Sequence, residues 1–280
     1  MKEILELRVN LEYAHLLFDE SECKNVGSSI IKIVYIAKDD PRYNKIPLMD
    51  NEIKRKYDTC FFYGWKYKRS YTQTELNSAK LLQMKIDKVF EPTGEECGTL
   101  YDESVACKIC GAKRKQISSL ILKKKSIPQK DIAKTIGGEI VVSSRFAEAV
   151  KRRSLKGLNL LPVNFVNGES SYYQLKALNG ICLSNNTVVG VNPFDLSTYC
   201  REEIYKCPNG DTIGLNLLSE VYVVNNHLIY DYDFLESKQY VGINRGLLRP
   251  EPIYFCSQSF RQMVKEEKLS GFEFEIANIE

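Results

Sequence analysis

Val142-Ser143-Ser144-Arg145-Phe146-Ala147-Glu148-Ala149-Val150-Lys151, continuing through Leu155-Lys156-Gly157-Leu158-Asn159-Leu160, is a pattern this chain uses twice. Moved forward by 114 residues (143 to 257), it falls on Cys256-Ser257-Gln258-Ser259-Phe260-Arg261-Gln262-Met263-Val264-Lys265 and then Leu269-Ser270-Gly271-Phe272-Glu273-Phe274. Ser143, Phe146, Val150, Lys151, Leu155 and Gly157 meet Ser257, Phe260, Val264, Lys265, Leu269 and Gly271 without a gap. An apolar strand ends at a Ser whose hydroxyl can cap a helix. Phe and Val four residues apart share one helix face. Leu-x-Gly closes the helix, and alternating apolar residues start the next strand. Two such strand–helix–strand units, at 139–163 and 253–277, predict a duplicated domain with one shared core.

Outward from the repeat, the pattern is of short strands with few helices. Ile127-Pro128-Gln129-Lys130-Asp131-Ile132 reads as a helix start, with Pro in the first turn, and Gly137-Gly138 as its end. Between the copies, Asn185-Asn186 and Asn225-Asn226 each separate two apolar runs, which predicts two hairpins. Thr72 and Glu75 have capping-box spacing for a helix reaching about Leu82. Ile117–Leu122, Ser29–Ala37 and Thr59–Tyr67 (with Gly64 as a possible bulge) read as strands, and the alternating stretch 3–9 as a half-exposed strand or short helix. The expected class is α+β, with mixed and antiparallel sheets. The expected division is an N-terminal α+β region over 1–90, a cysteine-containing knuckle segment over 91–125, and a C-terminal α+β domain over 126–280 that holds the repeat.

The knuckle segment contains the chain's only Cys-x-x-Cys, Cys107-Lys108-Ile109-Cys110-Gly111. Two thiolates at this spacing converge on one ion, and the following Gly permits the sharp turn. A closed zinc site needs four ligands, so two more must come from elsewhere. Cys200 and Cys207 lie in a second segment where Cys207-Pro208-Asn209-Gly210 has the character of a tight turn. One candidate set is Cys107, Cys110, Cys207 and Cys200; another replaces Cys200 with Cys97. Such a thiolate-rich Zn²⁺ site is expected to be structural. The alternative reading is that these cysteines are buried thiols. Cys23, Cys60, Cys182 and Cys256, in apolar surroundings, are expected to be core thiols.

The 280 residues, 44% apolar, are enough for one large or two ordinary domains. A formal charge of +3 does not by itself call for a nucleic-acid or membrane partner. No apolar run is long enough to span a bilayer, and the N-terminus lacks the pattern of a signal peptide, so a cytoplasmic protein is expected. Nine widely spread cysteines, an odd number, fit a reducing compartment. His15 and His227 have no partner at a catalytic spacing, and no phosphate-binding glycine loop is present. The acidic clusters Asp231-Tyr232-Asp233 and Tyr101-Asp102-Glu103 read as turn and capping residues rather than as a catalytic pair. Phe61 to Arg69 interleaves aromatics with cations, and with the knuckle it keeps nucleic-acid binding open as a second reading.

Gly94-Glu95-Glu96-Cys97-Gly98, Cys107-x-x-Cys110-Gly111 and the closing Ser-x-x-Phe…Leu-x-Gly-Phe-x-Phe resemble the bacterial double-CXXCG motif proteins, which overlap with predicted immunity proteins of polymorphic-toxin systems. The likeness runs from about Gly64 to the C-terminus. It departs where the first motif would need Cys at position 94 and Gly94 stands. The resemblance implies a non-enzymatic protein that protects its cell by occupying a cognate toxin, and it carries over no catalytic residue. A metal-dependent enzyme is the third reading, to be tested by whether carboxylates and His converge in a pocket.

Overall fold

The computed structural model describes residues 1–27, 30–166, 168–194, 205–214 and 216–280. They form two units: Met1–Thr72 with the described residues of Asn192–Leu196, and Gln73–Val191 with the described residues of Ser197–Glu280. The division falls after Thr72, not near residue 90, because Leu81–Ile86 is paired into a sheet with C-terminal strands. The segment 91–125 likewise belongs to the second unit. Among the described residues no helix is long and apolar enough to cross a membrane.

The first unit is a sheet with one helix. Strand β1 (Lys2–Asn10) lies between β2 (Ile31–Ala37) and β3 (Phe62–Ser70), antiparallel to both. Alternation explains it: Leu5, Leu7 and Val9 are fully buried on one face. Helix α1 (Ile46–Tyr57) buries Ile46 and Ile53. A register shift places Gly64 opposite Arg8 and Phe62 opposite Val9, so the bulge falls at Tyr63 beside the expected Gly64. Two of the three cations of β3 are ion-paired across the sheet: Lys68 with Glu6 and Arg69 with Glu3, both at 2.6 Å.

The second unit carries the duplication. Its main strands are β4 (Leu81–Ile86), β5 (Val89–Phe90), β6 (Ile121–Leu122), β7 (Ile132–Thr135), β8 (Ile140–Val142), β9 (Leu158–Phe165), β10 (Gly168–Ala177), β11 (Gly180–Ile181), β12 (Val221–Val223), β13 (Phe234–Val241), β14 (Glu251–Cys256) and β15 (Phe272–Ile279). Helix α2 (Ser144–Arg153) follows β8, and α3 (Gln258–Glu266) follows β14. One sheet has the order β5-β7-β8-β10-β9-β6 and the other β11-β13-β14-β4-β15-β12. The two orders correspond position for position. In both, the edge strands pair in parallel and the inner strands antiparallel.

The repeat is therefore larger than two strand–helix–strand units. One copy runs from β4 to β9 and the other from β10 to β15. Each copy places its first strand in the other's sheet, β4 between β14 and β15, and β10 between β8 and β9. Registers agree at residue level. Gln83 lies opposite Phe255 and Glu275, and Gln174 lies opposite Val141 and Leu161. The offset of 91 (83 to 174) aligns Leu82-Gln83-Met84-Lys85 with Tyr173-Gln174-Leu175-Lys176.

The joints are duplicated as well. Ser143 Oγ accepts from Phe146 N–H at 3.2 Å, and Ser257 Oγ from Phe260 N–H at 3.1 Å. Each hydroxyl donates to a carboxylate at the head of the neighbouring strand, Ser143 to Asp131 (2.9 Å) and Ser257 to Asp233 (2.7 Å). Each carboxylate then accepts a backbone N–H from the other copy, Asp131 from Ser270 (2.8 Å) and Asp233 from Lys156 (2.9 Å). Burial alone would raise the Asp131 carboxyl, but the Ser270 N–H and the Ser143 and Ser270 hydroxyls hold it below its ordinary range. Gly157 (φ +90°) and Gly271 (φ +98°) make the crossing possible, since a Cβ there would stand 2.3 Å from Phe234 O and 2.4 Å from Ile132 O. Between the helices, Phe146 and Phe260 are fully buried with ring centroids 5.8 Å apart.

Several expected elements differ. Residues 127–137 do not form a helix; Ile132–Thr135 is strand β7, because Ile132, Ala133 and Thr135 are buried, Ile132–Lys134 pair with β8 and Lys134–Thr135 with β5, and Gly137-Gly138 forms the hairpin turn. The helix after Thr72 spans only Gln73–Ser78, because Leu81 and Leu82 are buried in β4. Only Ile121–Leu122 of the 117–122 run is a strand. Neither Asn-Asn pair turns a hairpin: β12 pairs in parallel with β15, and Leu228–Asp231 is a helical turn. Of the expected core thiols only Cys256 is buried; Cys23, Cys60 and Cys182 are half-buried. Burial pushes the Cys256 thiol well up.

Candidate metal centre

The segments that join the parallel edge strands of each copy carry the cysteines. In the first copy a two-stranded ladder, Tyr101–Asp102 with Lys115–Gln116, presents the turn that holds Cys107 and Cys110. The turn is closed by Gly111 N–H to Cys107 O (2.8 Å) and Cys107 N–H to Ala112 O (2.9 Å). Gly111 has φ +74°, and a Cβ there would meet Asn244 Cβ at 2.8 Å. The second copy repeats the turn with one residue fewer. Gly210 N–H donates to Cys207 O (2.8 Å), Cys207 N–H donates to Asp211 O (2.7 Å), and Gly210 has φ +91°.

The two turns bring three thiols together. The sulfurs of Cys107, Cys110 and Cys207 lie within 4.8 Å of one another, an arrangement that could hold a metal ion. Cys107 Sγ and Cys207 Sγ are 3.6 Å apart. A tetrahedral ion with metal–sulfur bonds of about 2.3 Å has sulfur–sulfur edges of about 3.8 Å, so the spacing fits. Cys110 and Cys207 are buried against Ala112, Ile213 and Tyr240, while Cys107 is half-buried.

Neighbouring dipoles favour the metal-binding form at one of these thiols. The Cys110 backbone N–H, the Asn209 side-chain amide (Nδ2 to Cys107 Sγ, 3.2 Å) and the Ile109 N–H push the Cys107 thiol down to about 6. Burial pushes the Cys110 thiol up to about 12, against the pull of the Ala112 N–H. Asp211 is 1% exposed and lies beside the cluster. Its Oδ1 accepts from Tyr240 N–H and faces Lys113 Nζ, both at 2.9 Å, and its Oδ2 accepts from Cys110 Sγ at 3.7 Å.

Of the sequence-based candidates, Cys107, Cys110 and Cys207 converge and Cys97 does not. Cys97 ends a separate turn, Glu95–Cys97, where burial raises its thiol. A cysteine at position 94 would require its neighbours to shift, since a Cβ on Gly94 would stand 2.6 Å from Leu120 Cδ1 and 2.9 Å from Thr99 Oγ1. Cys200 lies outside the described residues. Asn209 and Asp211 escaped the sequence reading; their signal was their place beside Cys207 in Cys-Pro-Asn-Gly-Asp. The acidic clusters have structural partners: Asp102 Oδ1 accepts from Ser104 N–H at 2.9 Å, and Asp233 caps α3 through Ser257. No protein-family model matches the chain, and no curated protein matches it, so the chemistry of this cluster carries the functional reading.

Proposed function

We propose that this chain is a zinc-stapled, non-enzymatic bacterial protein of immunity type, acting in the cytoplasm by binding and neutralising a cognate toxin. The observation that carries the reading is the pair of facing knuckle turns, set at equivalent places in a duplicated fold and contributing Cys107, Cys110 and Cys207 to one cluster. The resemblance sets its two motifs at 94–98 and 107–111; only the second takes part here, faced by the one-cysteine turn at 207–210, so the resemblance supports the reading through 107–111 alone. Thiolate ligands favour zinc, and two buried thiols out of three suit a structural role. The ion would tie the insertion of one copy to that of the other and supply stability rather than a reactive centre. Asp211 Oδ2, 3.7 Å from Cys110 Sγ, offers a carboxylate oxygen beside the cluster.

Nucleic-acid binding has less support, because the cations Lys68 and Arg69 of the aromatic strand are paired with Glu6 and Glu3. The test of the leading reading is co-expression with the product of the adjacent gene. A stable complex and rescue from that product's toxicity are expected; neither complex nor rescue would overturn it. Elemental analysis of protein purified without chelator should find about one zinc per chain.

A further inference from the structure

A cavity of about 230 Å³ lies beside β10, β13 and β14, and Lys176 and Glu236 both line it. Among the described residues neither side chain has a hydrogen bond or a contact ion pair; each feels the opposite charge of the other across the cavity. Burial lowers the Lys176 ammonium and pushes the Glu236 carboxyl up to about 7. Tyr240 and Tyr254 also line the cavity, as does Glu251, whose Oε2 is buried without a partner.

The duplication supplies an internal control. Lys85, equivalent to Lys176, is ion-paired with Glu275 at 2.5 Å. The position equivalent to Glu275 in the other sheet is Leu161, which lies opposite Gln174 as Glu275 lies opposite Gln83. Lys134, equivalent to Glu236 by an offset of 102 (134 to 236), is ion-paired with Glu251. The equivalent charges are therefore matched inside the protein, while Lys176 and Glu236 face open volume. Two opposite charges that are half-buried and attract each other without making a contact pair are only partly compensated, and a cavity that holds them so is shaped for a ligand that carries both signs.

We propose that this cavity binds a small zwitterion, with Glu236 receiving its cationic group and Lys176 its anionic group. The cavity borders the cysteine turn at Gly111 and Tyr240, but none of the three clustered cysteines lines it, and the proposal does not depend on the immunity reading.

Titration calorimetry of the full chain with glycine, γ-aminobutyrate and 6-aminohexanoate tests it. At least one of the three should bind at millimolar concentration, and its singly charged analogues, the alkyl carboxylate and the alkyl ammonium, should bind at least tenfold more weakly. Glu236→Gln and Lys176→Met should each weaken binding at least tenfold. Leu161→Glu should do the same, by giving Lys176 the carboxylate that Lys85 already has. No binding by any of the three in the wild type would mean that the cavity holds only water and would overturn the proposal. Unchanged affinity in folded Glu236→Gln and Lys176→Met, or in folded Leu161→Glu if either of those loses its fold, would overturn it too.

Discussion

Between β5 and β6 the first copy carries Cys107, Lys108, Ile109, Cys110 and Gly111; between β11 and β12 the second carries Cys207, Pro208, Asn209 and Gly210. Both turns close with a glycine N–H on a cysteine carbonyl at 2.8 Å, and both glycines have positive φ. Backbone bonds therefore set the turn, and the second cysteine is an addition that one copy has and the other lacks. In its place the second copy presents the Asn209 amide to Cys107 and the Asp211 carboxylate to Cys110. Around these insertions the two copies keep the same serine caps, aspartate braces and crossing glycines. The lesson is one of division of labour: the duplicated frame is held to its repeat, and the inserted loops diverge into different roles.

The largest expected effect tests the frame. Phe146→Ala and Phe260→Ala should each lose about 3–5 kcal/mol in denaturant unfolding, because both rings are fully buried in one core. A large loss in one and a small loss in the other would break the equivalence. Next comes the metal centre. Cys207→Ser should weaken zinc binding, read by competition with a chromogenic chelator, by more than about tenfold. Asn209→Cys, which places a fourth sulfur beside Cys107, should strengthen it and intensify the charge-transfer absorption of the cobalt-substituted protein.

Smaller effects sharpen the comparison at the joints. Ser143→Ala and Ser257→Ala should each cost about 1 kcal/mol, and nearly the same in both copies. The Asp131 carboxyl is held below its ordinary range, so its contribution is present above its unfolded value of about 4 and lost as pH falls through the lower folded value. Asp131→Asn should therefore flatten the fall in urea midpoint between about pH 5 and about pH 3 relative to wild type. An unchanged slope would mean that Asp131 does not brace the fold electrostatically.

The sequence made the α+β class and the capped repeat legible because Ser143, Phe146 and Gly157 meet their counterparts at one fixed spacing. It hid the remainder of each copy for physical reasons. On β4 and β10 only Gln83/Gln174 and Lys85/Lys176 are identical among the four aligned pairs, since buried positions accept Leu or Tyr and Met or Leu alike. A first-turn proline and a closing Gly-Gly fit a helix over 127–137, while the hairpin with β8 and the parallel pairing with Val89–Phe90 decide for a strand. Cys107, Cys110 and Cys207 were legible as candidate ligands through their turns. That Cys97 stays apart was not, because sequence distance says nothing about which loops face each other.

The lending of first strands between copies has a consequence during synthesis. β10 follows β9 directly in the chain, so the sheet of the first copy can close soon after Ala177 has been made. β4 has no such neighbour. It leaves the ribosome first among these strands, yet its partners are Glu251–Cys256 and Phe272–Ile279 at the end of the chain. Until then Leu81-Leu82-Gln83-Met84 waits as a strand with two unpaired edges, the state most open to association with other chains. A chain released before Glu251 would have no native place for it, so an early stop should yield an aggregating product rather than a smaller folded one.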